Sequence, residues 1–203
     1  TFTDGPSTDP GALSDTQTTT ITVAATNDAP VVQLGGAGVD DYAVEFTEGS
    51  GPVTIVADGG PGFILTDPDN TVATTLEGAT ATIALSGISD GAAETLILGA
   101  TTNLTVATVT DGAAITSITL TGTAATALTD FEAAIAAITY NNTSDEPTAG
   151  DRTVTVTFTD GPSTDPGALS DTQTTTITVA ATNDAPVVQL GGAGVDDYAV
   201  EFT

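Results

Sequence analysis

The side chains able to do chemistry in this chain are nearly all carboxylates: 27 Asp and Glu stand against a single Lys or Arg, Arg152, with no His and no Cys. Paired carboxylates hydrolyse glycosidic bonds, and Glu48, Glu94 and Glu132 are available for that work. The rest of an active site is lacking. No His or Cys offers a base or nucleophile, almost no cation could stabilise an oxyanion or phosphate, and few aromatics could form a sugar platform. The chain is therefore read as non-enzymatic, with no catalytic residue. Zinc and most transition metals lose their usual ligands with His and Cys, which leaves hard, oxygen-ligated cations. Crowded carboxylates repel one another, and a divalent cation relieves that repulsion while taking their oxygens as ligands, so calcium is the natural candidate. Alternatively, the net charge of −26 serves only solubility, or adaptation to salt.

The same charge excludes partners. Nucleic acid needs Lys and Arg to neutralise its phosphates, and an anionic membrane surface is disfavoured for the same reason. The absence of cysteine rules out a disulfide framework. Taken singly, the acidic motifs are weak: Asp67-Pro68-Asp69 reads as an acidic turn, Asn183-Asp184 as a linker turn, and Asp145 and Glu146 as solvated loop charges. Gly35-Gly36-Ala37-Gly38-Val39-Asp40-Asp41-Tyr42-Ala43 fits the calcium-binding nonapeptide of β-rolls, but a roll stacks several such units and this one occurs once per repeat, so a flexible loop is expected.

The elements that must position these groups are strands. Thr153-Val154-Thr155-Val156-Thr157-Phe158 alternates with the period of a strand buried on one face, with Val154, Val156 and Phe158 inward. The alternation recurs in Tyr42-Ala43-Val44-Glu45-Phe46, in Thr176-Ile177-Thr178-Val179, and more loosely around Ile83-Leu85, Leu104-Val106 and Ile118-Leu120. Gly49-Ser50-Gly51-Pro52, Asp58-Gly59-Gly60-Pro61, Asp90-Gly91, Asp111-Gly112 and Asp160-Gly161-Pro162 supply turns. One segment differs: Thr129-Asp130-Phe131-Glu132 has the form of a capping box, followed by Ala-rich sequence with Phe131, Ile135 and Ile138 on one face, which predicts a short helix near 130–138. The fold expected is all-β, an antiparallel Greek-key β-sandwich of immunoglobulin-like type with that one helix.

Residues 1–47 recur identically as 157–203. The period is domain-sized, longer than the roughly 20–50 residues of solenoid units, so each repeat can bury its own core. Pro30 and Pro186 place boundaries after Asn27-Asp28-Ala29 and its copy. Residues 1–29 are then the last strands of one repeat, 30–185 a complete repeat, and 186–203 the first strand of the next, as though excised from a longer array.

The linker Asn183-Asp184-Ala185-Pro186, the turn Asp67-Pro68-Asp69, the strand end Val156-Thr157-Phe158-Thr159-Asp160-Gly161, the opening Phe46-Thr47-Glu48-Gly49 and the stretch from Ile138 to Glu146 together resemble the cadherin-like repeats of giant bacterial surface adhesins. The resemblance implies calcium at the domain junctions, with ligands from the end of one domain, the linker and the start of the next. It points to Asn27, Asp28, Asp67, Asp69 and Asp160 at one junction, and to Glu48, Asp145, Glu146, Asn183 and Asp184 at the other. It also implies an extracellular, cell-surface extender whose partners are neighbouring repeats of the same chain, stiffened by calcium and carrying adhesion or biofilm formation at its tip. A rival is a self-assembling filament or matrix in which residues 1–30 of one chain replace 157–186 of another, giving a homopolymer by strand exchange. A third reading is direct binding of carbohydrate or ice by a flat Thr-rich face.

Overall fold

A computed structural model describes residues 1–3, 14–23, 26–58, 62–69, 76–161, 167–186, 188 and 201. Part of the segment 1–29, the turn at Gly59-Gly60-Pro61, Pro162 and nearly all of 186–203 lie outside the described residues. In chain order the strands are β1 (Phe2–Thr3), β2 (Ser14–Asp15), β3 (Val31–Gln33), β4 (Tyr42–Thr47), β5 (Val53–Thr54), β6 (Ile64–Thr66) and β7 (Thr80–Ser86). They continue with β8 (Glu94–Ile97), β9 (Leu104–Asp111), β10 (Ala114–Gly122), β11 (Thr139–Asn142), β12 (Gly150–Thr159) and β13 (Ser170–Ala180), with helix α1 (Leu128–Ala136) between β10 and β11. Among the described residues the protein is all-β with one α-helix and a 3-10 turn at Gly91–Ala93, and its layers make it sandwich-like.

One layer is a six-stranded sheet in the order β4-β13-β12-β7-β10-β9. Its inner face comes from the period-2 pattern: Val154, Val156 and Phe158 of β12, Ile177 and Val179 of β13, and Ala81, Ile83 and Leu85 of β7 are buried, while the intervening Thr residues face outward. The other layer combines the three-stranded sheet β5-β11-β8, the ribbon β3-β6 and α1. The layers meet through aromatic edges. The Phe46 ring stands against Tyr140 at 5.4 Å, and Phe131 of α1 against Phe158 at 5.0 Å. Each such ring contributes about 1.5–3 kcal/mol by leaving water.

The outer face of the six-stranded sheet shows where the charge is not. Thr172, Thr157, Thr82 and Thr119 lie side by side on β13, β12, β7 and β10, and Thr174, Thr155, Ala84 and Ser117 form the next row. β-Branched hydroxyl side chains satisfy a half-exposed pleat without carboxylates. The acidic residues are thereby displaced to strand ends, edges and loops.

Two expectations need correction. All strand pairs among the described residues are antiparallel except β4 with β13, which run parallel from Tyr42 opposite Thr175 to Thr47 opposite Ala180. After the turn at residues 35–41, β4 leaves the β3 ribbon and joins the edge of the larger sheet from the end where β13 starts. The helix begins earlier than the capping-box reading places it. Its N-cap is Ala127, which has no side-chain acceptor, and Asp130 takes the backbone N–H of Ala127 at 2.8 Å from the third helical position. Thr129 lies inside the helix. Phe131 and Ile135 are buried on it as expected, and Ile138 is buried just past its end.

Candidate functional site

β12 and β13 run the length of the sheet and so define two ends. The ten residues of β12 place Gly150 and Thr159 roughly 30 Å apart. Asp160 follows one end, and the loop of Asp145 and Glu146 precedes the other.

At the Asp160 end, the linker touches two acidic loops. Asn27 donates from Nδ2 to Asp160 Oδ2 at 2.6 Å and to the carbonyl of Gly167 at 3.0 Å, and the backbone N–H of the next residue, Asp28, donates to Asp69 Oδ2. Asp69 in turn donates its N–H to Asp67 Oδ1 at 2.9 Å. Asp160 caps the turn after β12 by accepting from Leu169 N at 2.8 Å, while its own N–H donates to the Leu169 carbonyl at 3.0 Å. The five residues assigned to this junction therefore lie in one connected network. Asp67 and Asp160 are buried at 7% and 3% exposure, whereas Asp28 and Asp69 are exposed.

At the opposite end, Glu48 follows β4. Its Oε2 accepts from Thr182 N at 2.8 Å and from Thr182 Oγ1 at 3.2 Å, which ties the outgoing linker to the end of β4. Glu48, Asp145 and Asp184 line one cleft of about 330 Å³ with Asn142, Ser144 and Thr182. Glu146 is exposed and does not line it, and Asn183, also exposed, donates to the Asp184 carbonyl at 3.3 Å.

Both ends offer the hard oxygen donors that calcium takes, namely carboxylates, amide oxygens and backbone carbonyls. Among the described residues, however, no group of three or more Asp or Glu converges closely enough to hold a metal ion. The donor chemistry fits and the assembled geometry does not close around a cation. The nonapeptide string does not form a roll. It is a tight turn closed by Leu34 N–H to Asp40 O at 2.8 Å and Gly35 N–H to Val39 O at 3.0 Å, with Gly36 and Gly38 at positive φ.

The feature that sequence reasoning missed is a buried ion pair joined to that cleft through Asn142. Arg152, the chain's one cation, is 1% exposed and Glu94 is fully buried. The guanidinium donates to Glu94 from Nε at 2.8 Å and from Nη2 at 2.9 Å, and to Asp90 Oδ2 at 3.3 Å. Nη2 is shared with the Thr148 carbonyl at 2.9 Å, and Nη1 donates to the Gly150 carbonyl at 3.2 Å. Glu94 also accepts from the Tyr140 hydroxyl at 3.0 Å and from the N–H groups of Ser89 and Asp90. Asp90 accepts from Asn142 Nδ2 at 2.7 Å and from Thr148 N.

Burial works against the charge of Glu94, but the Arg152 hydrogen bonds and the two backbone N–H groups outweigh it, and its carboxyl is held below the ordinary value. Asp90 is likewise lowered, burial being overcome by Thr148 and Asn142. Burial and the neighbouring Glu94 raise the Tyr140 hydroxyl, and the hydrogen bond to Glu94 raises Arg152. Glu94 is thus enclosed by donors within the core, Glu48 sits at the cleft, and Glu132 lines a separate groove beside α1. Asn142 belongs to both the ion-pair network and the cleft, and couples them. The sequence signal for it was its place in Tyr140-Asn141-Asn142-Thr143-Ser144-Asp145. Comparison with family models, with curated proteins and with solved structures returns no match to this chain.

Proposed function

We propose that this chain is a calcium-stabilised extender repeat of a large bacterial surface or biofilm adhesin, with the Greek-key topology of cadherin-like domains, acting outside the cell at its surface. The observation that carries the reading is the linker pair Asn27-Asp28, which reaches Asp160 and Asp69 at the same end of the sheet. A linker tied to two loops of the following domain fixes the angle at which that domain leaves. The acidic groups there have no Lys or Arg beside them, because Arg152 is enclosed near the other end. A divalent cation at each junction would have to draw together the oxygens of Asp67, Asp69, Asp160 and Asn27, or of Glu48, Asp145 and Asp184, which do not close around one on their own, and would supply the charge balance that the chain lacks. The residues themselves orient the linker and hold the loops in place. Each domain adds roughly 40 Å of reach. Thermal unfolding across a calcium titration, with magnesium as control, tests the reading: a calcium-specific rise in midpoint that Asp67→Asn with Asp69→Asn removes supports it, and equal effects of calcium, magnesium and sodium chloride oppose it.

A second reading, the strand-exchanged filament, has its own observation. β1 pairs with β2 in the register Phe2 to Asp15 and Thr3 to Ser14, the same register in which their duplicates Phe158 and Thr159 meet Asp171 and Ser170. Ile21 and Val23 are 82% and 87% exposed, while their duplicates Ile177 and Val179 are buried in the core. Ile21→Asp with Val23→Asp would abolish polymerisation by this route.

A further inference from the structure

We propose that the free edge of β9 is a self-association surface, on which β9 of a second copy of this chain pairs antiparallel about a two-fold axis. Among the described residues β9 pairs only with β10, so along one side its backbone N–H and C=O groups have no strand partner. An exposed edge is a template for strand addition unless charge, proline, a short length or a cover blocks it. β9 runs for eight residues, Leu-Thr-Val-Ala-Thr-Val-Thr-Asp, with no proline and no charge before Asp111, and all but Leu104 are exposed. Val106 and Val109 are 38% and 63% exposed. Among the described residues, the remaining edges of the two main sheets are short or charged. β4 carries the exposed Glu45 and leads into Glu48, β5 has two residues, and β8 has four.

The occupant follows from parity and charge. Thr105, Ala107 and Val109 share the outer face, and Leu104, Val106 and Thr108 the inner one. A two-fold axis perpendicular to the sheet keeps faces matched only if residues of like parity meet. With the axis at Ala107, that residue meets its own copy, Thr105 meets Val109, Val106 meets Thr108, and Leu104 meets Thr110. Asp111 falls opposite Asn103, where a positive φ ends the strand, so no two carboxylates are opposed. In a chain of net charge −26, this is a contact two copies can make with no carboxylate directly opposite another, the nearest to Asp111 being Asp130, which accepts from Asn103 Nδ2 at 3.2 Å. The outer-face rows then continue across a joined sheet through Ala107 and Val109. Long-range repulsion still opposes the encounter, so the pairing strengthens as salt shortens the screening length below its roughly 8 Å at physiological ionic strength. The proposal is independent of calcium and of strand exchange by residues 1–30.

Sedimentation of the full chain over a concentration series, at low and high sodium chloride and with chelator present, reads the association. A monomer–dimer equilibrium that tightens with salt is expected. In Thr105→Asp with Val109→Asp, carboxylates stand directly opposite each other across the pair, and the dissociation constant rises at least tenfold, with the melting midpoint unchanged at concentrations where both proteins are monomeric. Because the chain has no cysteine, Ala107→Cys supplies one thiol, and oxidation traps it as a disulfide dimer, whereas Thr82→Cys in the middle of the sheet does not cross-link. Opposed β-carbons about 4.5–5.5 Å apart lie close enough for that bond after a small shift. A chain monomeric at every concentration and salt overturns the proposal. So does association that survives Thr105→Asp with Val109→Asp, including association that only Ile21→Asp with Val23→Asp removes.

Discussion

Arg152 and Glu94 meet in the core through two parallel hydrogen bonds of 2.8 and 2.9 Å, fifty-eight residues apart in sequence. The chain's one positive charge is thus spent inside the domain. None of its surface carboxylates has a basic side chain for a neighbour, and whatever balances them must come from solution. No side-chain N or O buried among the described residues lacks a partner, so this network is complete.

Removing one member leaves a buried charge without its partner. Arg152→Met should destabilise the domain by about 3–5 kcal/mol, measured by urea unfolding. The double substitution Arg152→Met with Glu94→Leu removes the buried pair but leaves Asp90 without its cation and the Tyr140, Ser89 and Asp90 donors without Glu94, so it should recover only part of that loss. Equal destabilisation by the single and double variants would show that packing, and not charge pairing, dominates there.

The pH dependence follows from the same groups. The folded state lowers the carboxyls of Glu94 and Asp90, so it binds fewer protons than the unfolded chain near their ordinary values. Their contribution is fully present above roughly pH 5 and is lost as pH falls through the lowered folded values. Glu94→Gln should flatten the acid limb of a stability-versus-pH curve. For Tyr140 the sign reverses: its folded value is raised, so its contribution is held below roughly pH 10 and lost above it. Tyr140→Phe should remove that alkaline dependence.

Gly122 closes β10 where the chain passes beneath Leu76. A β-carbon there would meet the Leu76 carbonyl oxygen at 2.0 Å, and backbone cannot yield as a flexible side chain does. Gly122→Ala should cost about 1–3 kcal/mol in chemical denaturation, whereas Gly38→Ala, with open space around it but a positive φ, loses only the smaller conformational term.

Much of this architecture was legible in the residues because the physics is local. Thr and Val alternate along β12, and side-chain direction follows from that spacing alone. Phe131 and Ile135 likewise announce a helix face. The start of α1 was misplaced because Thr129 resembles a cap, while Asp130 caps from inside the first turn. Glu94 at a buried strand position contradicts hydrophobic patterning and becomes intelligible only once Arg152 and Tyr140 arrive from distant strands. β9 carries an alternation like that of the core strands, yet nothing in it reveals that it stands at the edge of its sheet among the described residues. The two acidic groupings came from the family resemblance; the folded chain joins the first in one network and brings only Glu48, Asp145 and Asp184 of the second to one cleft, which composition does not encode.

The most direct test of the calcium-stiffened reading is the unfolding midpoint of this chain in chelator and then in rising calcium, with magnesium at matched ionic strength. At a calcium concentration about a hundredfold above the dissociation constant, linkage adds about 2.7 kcal/mol per site, which raises the midpoint by several degrees. The account predicts that gain with calcium and not with magnesium, and its loss in Asp67→Asn with Asp69→Asn. Identical midpoints in calcium, magnesium and sodium chloride would contradict it and leave the carboxylates as a salt-adapted surface.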